Sequence, residues 1–167
     1  MVIQIIIGGW TSANYAALVC PDFPLCQGQW LVSFDYLMQG FSSPLGFSNY
    51  EGGVISGEGR IAIHITHRWG ALICSILMTR IAWLVARIQQ KLPLEFMRWF
   101  YILSVCFVVQ IAFGIINVLW QLPISIAVGH NIMALALLIS VNMLIRYSIQ
   151  HKTAYSTSNH YYQHAIV

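Results

Sequence analysis

Three uninterrupted apolar stretches decide what this chain can fold into: Ile61 to about Ala86, about Trp99 to Trp120, and Ile124 to about Ile145. A helix needs about 20 apolar residues to cross the hydrocarbon of a bilayer, and each stretch supplies them. A segment in lipid must satisfy its backbone hydrogen bonds internally, which makes these stretches helices. Composition agrees, with 58% hydrophobic and 8% charged residues against about 25% charged in soluble domains. The net charge of +3 is small and scattered, so nothing suggests a nucleic-acid partner; the expected partner is the lipid bilayer.

Ahead of the spans, Met1 to Trp10 is apolar but about half the spanning length, and has neither the basic start nor the cleavage site of a signal peptide. It is expected to be the end of a helix. Thr11 to Arg60 differs in kind, carrying Asp22, Asp35, Glu51 and Glu58 with turn signals at Pro21, Pro24, Ser43–Pro44 and Gly52–Gly53. Interleaved aromatic residues (Trp30, Phe34, Tyr36, Phe41) point to a packed loop, with a short amphipathic helix around Leu31 to Met38. The expected fold is therefore an all-α integral membrane bundle: three full transmembrane helices, a partial N-terminal one and a structured extracytoplasmic loop over residues 11–60. Residues 1–146 form this transmembrane unit and residues 147–167 a mobile cytoplasmic tail, whose His151, His160 and His164 are too loosely spaced for a metal site.

Basic residues set the expected orientation. Arg87, Lys91 and Arg98 surround the first connection between spans, and Arg146 and Lys152 follow the third. Only Arg60 borders the long loop, and the Gln121–Leu122–Pro123 turn carries no charge. Positive residues favour the cytoplasmic side, which places the long loop outside and the C-terminus inside. Cys20 and Cys26, flanking the tight segment CPDFPLC, then face an oxidising compartment where a disulfide is the natural state. A working redox pair is the alternative. Cys74 and Cys106 lie in apolar runs and behave as small hydrophobes.

Two intramembrane histidines carry the chemistry. His67 lies seven residues past Arg60 and His130 seven past Pro123, so both sit about 10 Å along helices that run the same way. Imidazoles at matched depth can ligate one metal from opposite sides, and heme iron is commonly held so. Gly70, Ala71 and Cys74 follow His67 on one face, and Ala127 and Ala134 flank His130. Gln110, Gly114 and Asn117 form a polar and small stripe expected to face the bundle. Arg68 lies where a heme propionate could pair with it, and His64 is one turn from His67. Each feature has a plainer reading: histidines that hydrogen-bond across helices, small residues that permit close packing, an arginine that snorkels to water.

The segments GGWTSANYAALVCPDFPLCQGQW from Gly8, HITHRWGAL from His64 and GIINVLWQLPISIAVGHNIMAL from Gly114 resemble heme A synthase, the cytochrome oxidase assembly family of bacteria and mitochondria. The resemblance runs from Met1 to about Arg146 and matches the carboxy-terminal half of the family's eight-helix, two-half fold. It implies an iron-binding heme b site with axial ligands His67 and His130 (heme O to heme A conversion being the family's oxidoreductase activity). It also implies a disulfide-bearing outer loop and a bacterial cytoplasmic (inner) membrane location, with the mitochondrial inner membrane the lesser alternative. The family's amino-terminal half contributes a glutamate one turn before its histidine. His64 stands at that position here, and the three apolar stretches contain no acidic residue. The expectation is thus a heme b electron-relay half, completed by a separate amino-terminal half or a homo-oligomer, with heme O synthase or oxidase assembly factors as further partners. The alternatives are a b-type cytochrome subunit for membrane electron transfer, a quinone-linked thiol oxidoreductase using Cys20 and Cys26, or a non-functional fragment.

Overall fold

The structure, a computed structural model, describes residues 1–42 and 53–164. The turn expected at Ser43–Pro44, Gly52, Glu51 and the side chains of the three tail histidines lie outside the described residues. Among the described residues five α-helices follow one another: α1 (Val2–Ala13), α2 (Phe34–Phe41), α3 (Gly57–Ile88), α4 (Leu94–Leu119) and α5 (Ile124–His164). By length and composition α3, α4 and α5 can each cross a membrane. The chain is an all-α, multi-pass membrane protein, as its apolar stretches require.

Helix ends follow local chemistry more than hydropathy. Helix α3 starts ahead of its apolar run because the Ser56 hydroxyl accepts the Gly59 N–H at 3.1 Å, with Glu58 near the positive end of the helix dipole and Arg87 near the negative end. Pro93 caps α4, placing its start at Leu94 rather than near Trp99. The largest departure is α5. Its apolar run ends near Ile145, yet the helix continues to His164, since no glycine or proline between Arg146 and His164 interrupts it. Residues 147–164 of the segment expected to be a mobile tail are helical.

The described part of the long loop is built as a structured cap on α3. Ser33 caps α2, accepting from Tyr36 N–H at 3.4 Å, so this helix begins three residues later than the sequence pattern suggests. Gly40 and Gly59 let α2 and α3 touch: a Cβ at Gly40 would stand 2.6 Å from the Gly59 carbonyl oxygen. The Trp10 indole N–H donates to the Gly40 oxygen at 3.0 Å and ties α1 to the same crossing. Cys20 and Cys26 form a disulfide packed on Ile61 and Ile65 of α3. After it the backbone reverses through Gln27 (φ 50) and Gly28 (φ 76), while Cys26 and Gln29 exchange two 3.0 Å hydrogen bonds. Positive φ at both central residues is the geometry of a tight hairpin turn. The Asp22 carboxylate closes it by accepting from the Gln27 and Gly28 N–H groups at 2.6 and 3.0 Å. Those bonds, the one from Gly28 foremost, hold its pKa below the ordinary 3.8.

Tight packing is concentrated at this loop end. Further along α3, Leu72, Ile73, Ile76, Leu77 and Ile81 are exposed, an apolar surface suited to lipid.

Candidate functional site

A cavity of about 580 Å³ lies between α1, α3, α4 and α5, within the roughly 300–1,000 Å³ typical of cofactor and small-molecule sites. Helical periodicity brings its polar lining together. On α3, His64, His67, Arg68, Ala71 and Cys74 recur on one face; α4 presents Gln110, Gly114 and Asn117; α5 presents His130 and Ala134. The two histidines singled out from sequence thus share one cavity, and the Gln110–Gly114–Asn117 stripe does face the bundle. Two small residues expected there do not line it. Gly70 lies under the Gln4 amide, where a Cβ would overlap Oε1, and Ala127 is not part of the wall.

Each histidine ring sits in a comparable clasp. The Gln4 amide nitrogen is 3.0 Å from His67 Nδ1 and donates to the His67 carbonyl oxygen at 2.9 Å. On the same helix a Cβ at Gly8 would come within 3.0 Å of His67 Cε1, so glycine leaves the space the ring uses. Across the cavity the Gln110 amide nitrogen is 3.1 Å from His130 Nε2, and a Cβ at Gly114 would come within 3.3 Å of His130 Cε1. Sequence reasoning missed Gln4 and Gly8 altogether. The available signal was the match of QIIIG at Gln4 to QIAFG at Gln110.

Arg68 is placed differently from expectation. Its Nη1 donates to Pro24 O at 3.2 Å and to Leu25 O, its Nη2 to Cys20 O at 3.5 Å, and its guanidinium lies 5.8 Å from the Phe23 ring centre. The side chain lines the cavity, but its terminal nitrogens pin the disulfide loop to α3, leaving Nε buried without a partner. Other buried polar atoms of cavity-lining residues also lack a protein partner: His64 Nδ1, Gln110 Oε1, Asn117 Oδ1 and His130 Nδ1. Unmet, such atoms cost about 1–3 kcal/mol each, so their gathering around one cavity suits a polar or metal-bearing guest. Among the described residues no three His, Cys, Asp or Glu side chains converge on a point. A bare ion would find few protein ligands here.

Fold and cavity together define a multi-pass membrane protein with an internal cavity between its helices. The chain belongs to the cytochrome oxidase assembly protein family, whose sequence model matches residues 1–142. It is 38% identical to heme A synthase of Shewanella oneidensis over 156 residues, 93% of this chain and 45% of that protein. It is 27% identical to heme A synthase of Neorickettsia sennetsu over 81% of this chain and 36% of the relative. With heme A synthase of Wolbachia pipientis the identity is 28%, over 82% and 33% respectively. The chain therefore spans less than half the length of these curated relatives. No solved structure matches it.

Proposed function

We propose that this chain is a heme b-binding, electron-relay half of a heme A synthase, in which His67 and His130 would hold the iron. One observation carries the reading: the two imidazoles project from α3 and α5 into a single cavity, each seated against a glycine. The residues fit the group. Imidazole nitrogen is the usual donor to a low-spin heme iron, and a macrocycle that brings four nitrogens of its own asks the protein for only two more. His130 Nδ1 and Arg68 Nε supply buried polar atoms without partners at the site. Arg68 Nε is the part of that side chain still able to meet a propionate.

Bound heme would supply a one-electron ferric–ferrous couple. The chain's own residues do the rest. Helices α3 and α5 hold the rings, mostly apolar walls would limit water around the group, and the Arg68-pinned disulfide loop sets Phe23 at the cavity wall. Conversion of heme O to heme A belongs, on this reading, to an assembly with the remaining half, supplied by a separate amino-terminal chain or a second copy. Heme O synthase or oxidase assembly factors are fitting neighbours in such an assembly, whose proposed setting is a bacterial cytoplasmic membrane. A second reading, a b-type cytochrome subunit without chemistry of its own, is favoured by a cavity wall that, among the described residues, contains no aspartate or glutamate and by His64 where the resemblance implies a glutamate in the other half.

The test is the reduced-minus-oxidised optical spectrum of the chain purified in detergent, beside His67→Ala and His130→Ala. The expected result is a low-spin b-type spectrum that either substitution abolishes or converts to high spin. Folded wild-type protein with no heme, or a spectrum indifferent to both substitutions, overturns the reading. Heme O conversion on adding a complementary half separates the synthase from the simple cytochrome.

A further inference from the structure

The clasps around His67 and His130 belong to a repeat in the chain. Adding 106 to a residue number carries Gln4 to Gln110, Gly8 to Gly114, the last helical residue Ala13 to Leu119, and the cap Asn14 to Trp120. The backbone repeats with it. Asn14 has φ −105 and ψ 16, Trp120 φ −105 and ψ 14, and the next residues, Tyr15 and Gln121, both have φ 55. Both caps return their N–H to the carbonyl four residues back, Asn14 to Trp10 at 3.2 Å and Trp120 to Ile116 at 2.9 Å. Helix α1 packs on α3 and α4 on α5. The bundle is thus two similar helix pairs, each setting a Gln-x-x-x-Gly face against one histidine.

We infer that Gln4 and Gln110 are a repeated pair of positioning residues, orienting the His67 and His130 rings and setting their basicity as ligands. The inference rests on the bis-histidine reading above. Neutral imidazole has one N–H and one lone pair. A ring that gives its lone pair to iron must therefore donate the other N–H, and it needs an acceptor. A glutamine amide can serve, because turning its plane by half exchanges Oε1 and Nε2; at position 4 the turn also gives up the 2.9 Å bond from Nε2 to the His67 carbonyl oxygen. At position 110 the carbonyl oxygen Oε1 is buried without a partner while Nε2 faces the ring. Ligation of His130 would satisfy that oxygen. Such a bond fixes tautomer and ring rotation and raises ligand basicity. The glycine one turn further on lets the ring approach closely enough to make it.

The experiment compares the purified, heme-loaded chain with Gln4→Glu, Gln4→Met, Gln110→Glu and Gln110→Met, reading heme retention, low-spin electron paramagnetic resonance and midpoint potential. Glutamate is a stronger acceptor and should favour the ferric state about tenfold, ~59 mV lower for one electron. Methionine fills similar space without comparable acceptance. It should move the potential the other way and weaken heme retention about tenfold. Opposite signs at one position are beyond a mere packing role, since both substitutions remove the same amide. Opposite signs at both positions support the repeated pair; an effect at one position alone overturns it. If heme binds through both histidines and the variants keep the wild-type potential or shift it in one direction, this inference fails and the bis-histidine reading stands. Wild-type protein without heme overturns both.

Discussion

A flat ring needs a slot, and here glycine cuts it twice. A Cβ at Gly8 would stand 3.0 Å from His67 Cε1 and one at Gly114 3.3 Å from His130 Cε1, both tighter than ordinary contact, whereas a Cβ at Gly9 meets nothing within 4 Å. Each crowded ring would have to move by a few tenths of an ångström. Ligand geometry is sensitive to shifts of that size, on the order of 0.5 Å. Gly8→Ala is therefore expected to reduce heme occupancy several-fold and perturb the low-spin spectrum, and Gly114→Ala to do so less. Heme-to-protein ratios and optical spectra of the two purified variants beside the wild type check the order. Equal heme content in Gly8→Ala and the wild type would mean that His67 does not depend on this slot. That the two histidines share a cavity was legible in sequence because they lie at matched depth within apolar runs, where ionisable side chains are rare and turn towards the bundle interior. Gln4 was not, because one amide in a short apolar segment has no distinguishing pattern until its partner on α4 is superposed on it. Arg68 was legible as a cation beside His67. Its engagement by Cys20, Pro24 and Leu25 carbonyls depends on how a loop more than 40 residues upstream folds back, which no local pattern encodes.

At the level of elements, long apolar runs announced three spans, and their ends were misjudged wherever a cap or the lack of a helix breaker outweighed hydropathy. Ser56 extends α3 backwards, and the glycine- and proline-free segment after Arg146 extends α5 forwards. The crossing of α2 over α3 was beyond sequence reasoning, because only contact reveals that Gly40 and Gly59 meet. A Cβ at Gly59 would lie 2.6 Å from Ile55 Cγ2 and 3.0 Å from Gly40 N, and one at Gly40 2.6 Å from Gly59 O. The Gly40 contact is with backbone, which cannot step aside without parting the helices. Gly40→Ala and Gly59→Ala should each cost about 1–3 kcal/mol, as overpacking does. That loss should lower the thermal unfolding midpoint in detergent and shift Trp10 fluorescence, since the Trp10 indole is bonded to the Gly40 oxygen. Gly57, with nothing within 4 Å of a Cβ, provides the matched substitution expected to leave the midpoint in place. If all three variants melt together, the loop is not locked to α3 through this crossing.

For the whole molecule, the distribution of cations becomes informative only once their partners are known. At the loop end Arg60 gives its Nε to Ile55 O at 3.0 Å and its Nη2 to Gly53 O at 3.3 Å, and Arg68 is bonded into the disulfide loop. Both charges are thus engaged by the loop's own carbonyls. At the opposite end Arg87, Lys91, Arg98 and Arg146 are all exposed, with Arg87 stacked at 3.8 Å on Trp83, a side chain suited to the membrane interface. The asymmetry of cations available to lipid headgroups is therefore steeper than the raw count suggests, and it predicts the disulfide loop outside and the α3–α4 connection inside. In a chain with Cys74 and Cys106 replaced by serine, a cysteine at exposed Leu31 should react with a membrane-impermeant maleimide on intact cells. A cysteine replacing Gln90 should react only after permeabilisation. Cys20 and Cys26 should stay unlabelled until reductant is added from outside. The reverse pattern would put that pair on the reducing side, where a structural disulfide does not persist. It would also move the His67 end of the cavity to the cytoplasmic leaflet, so that electrons for a heme held there would have to come from the cytoplasmic face.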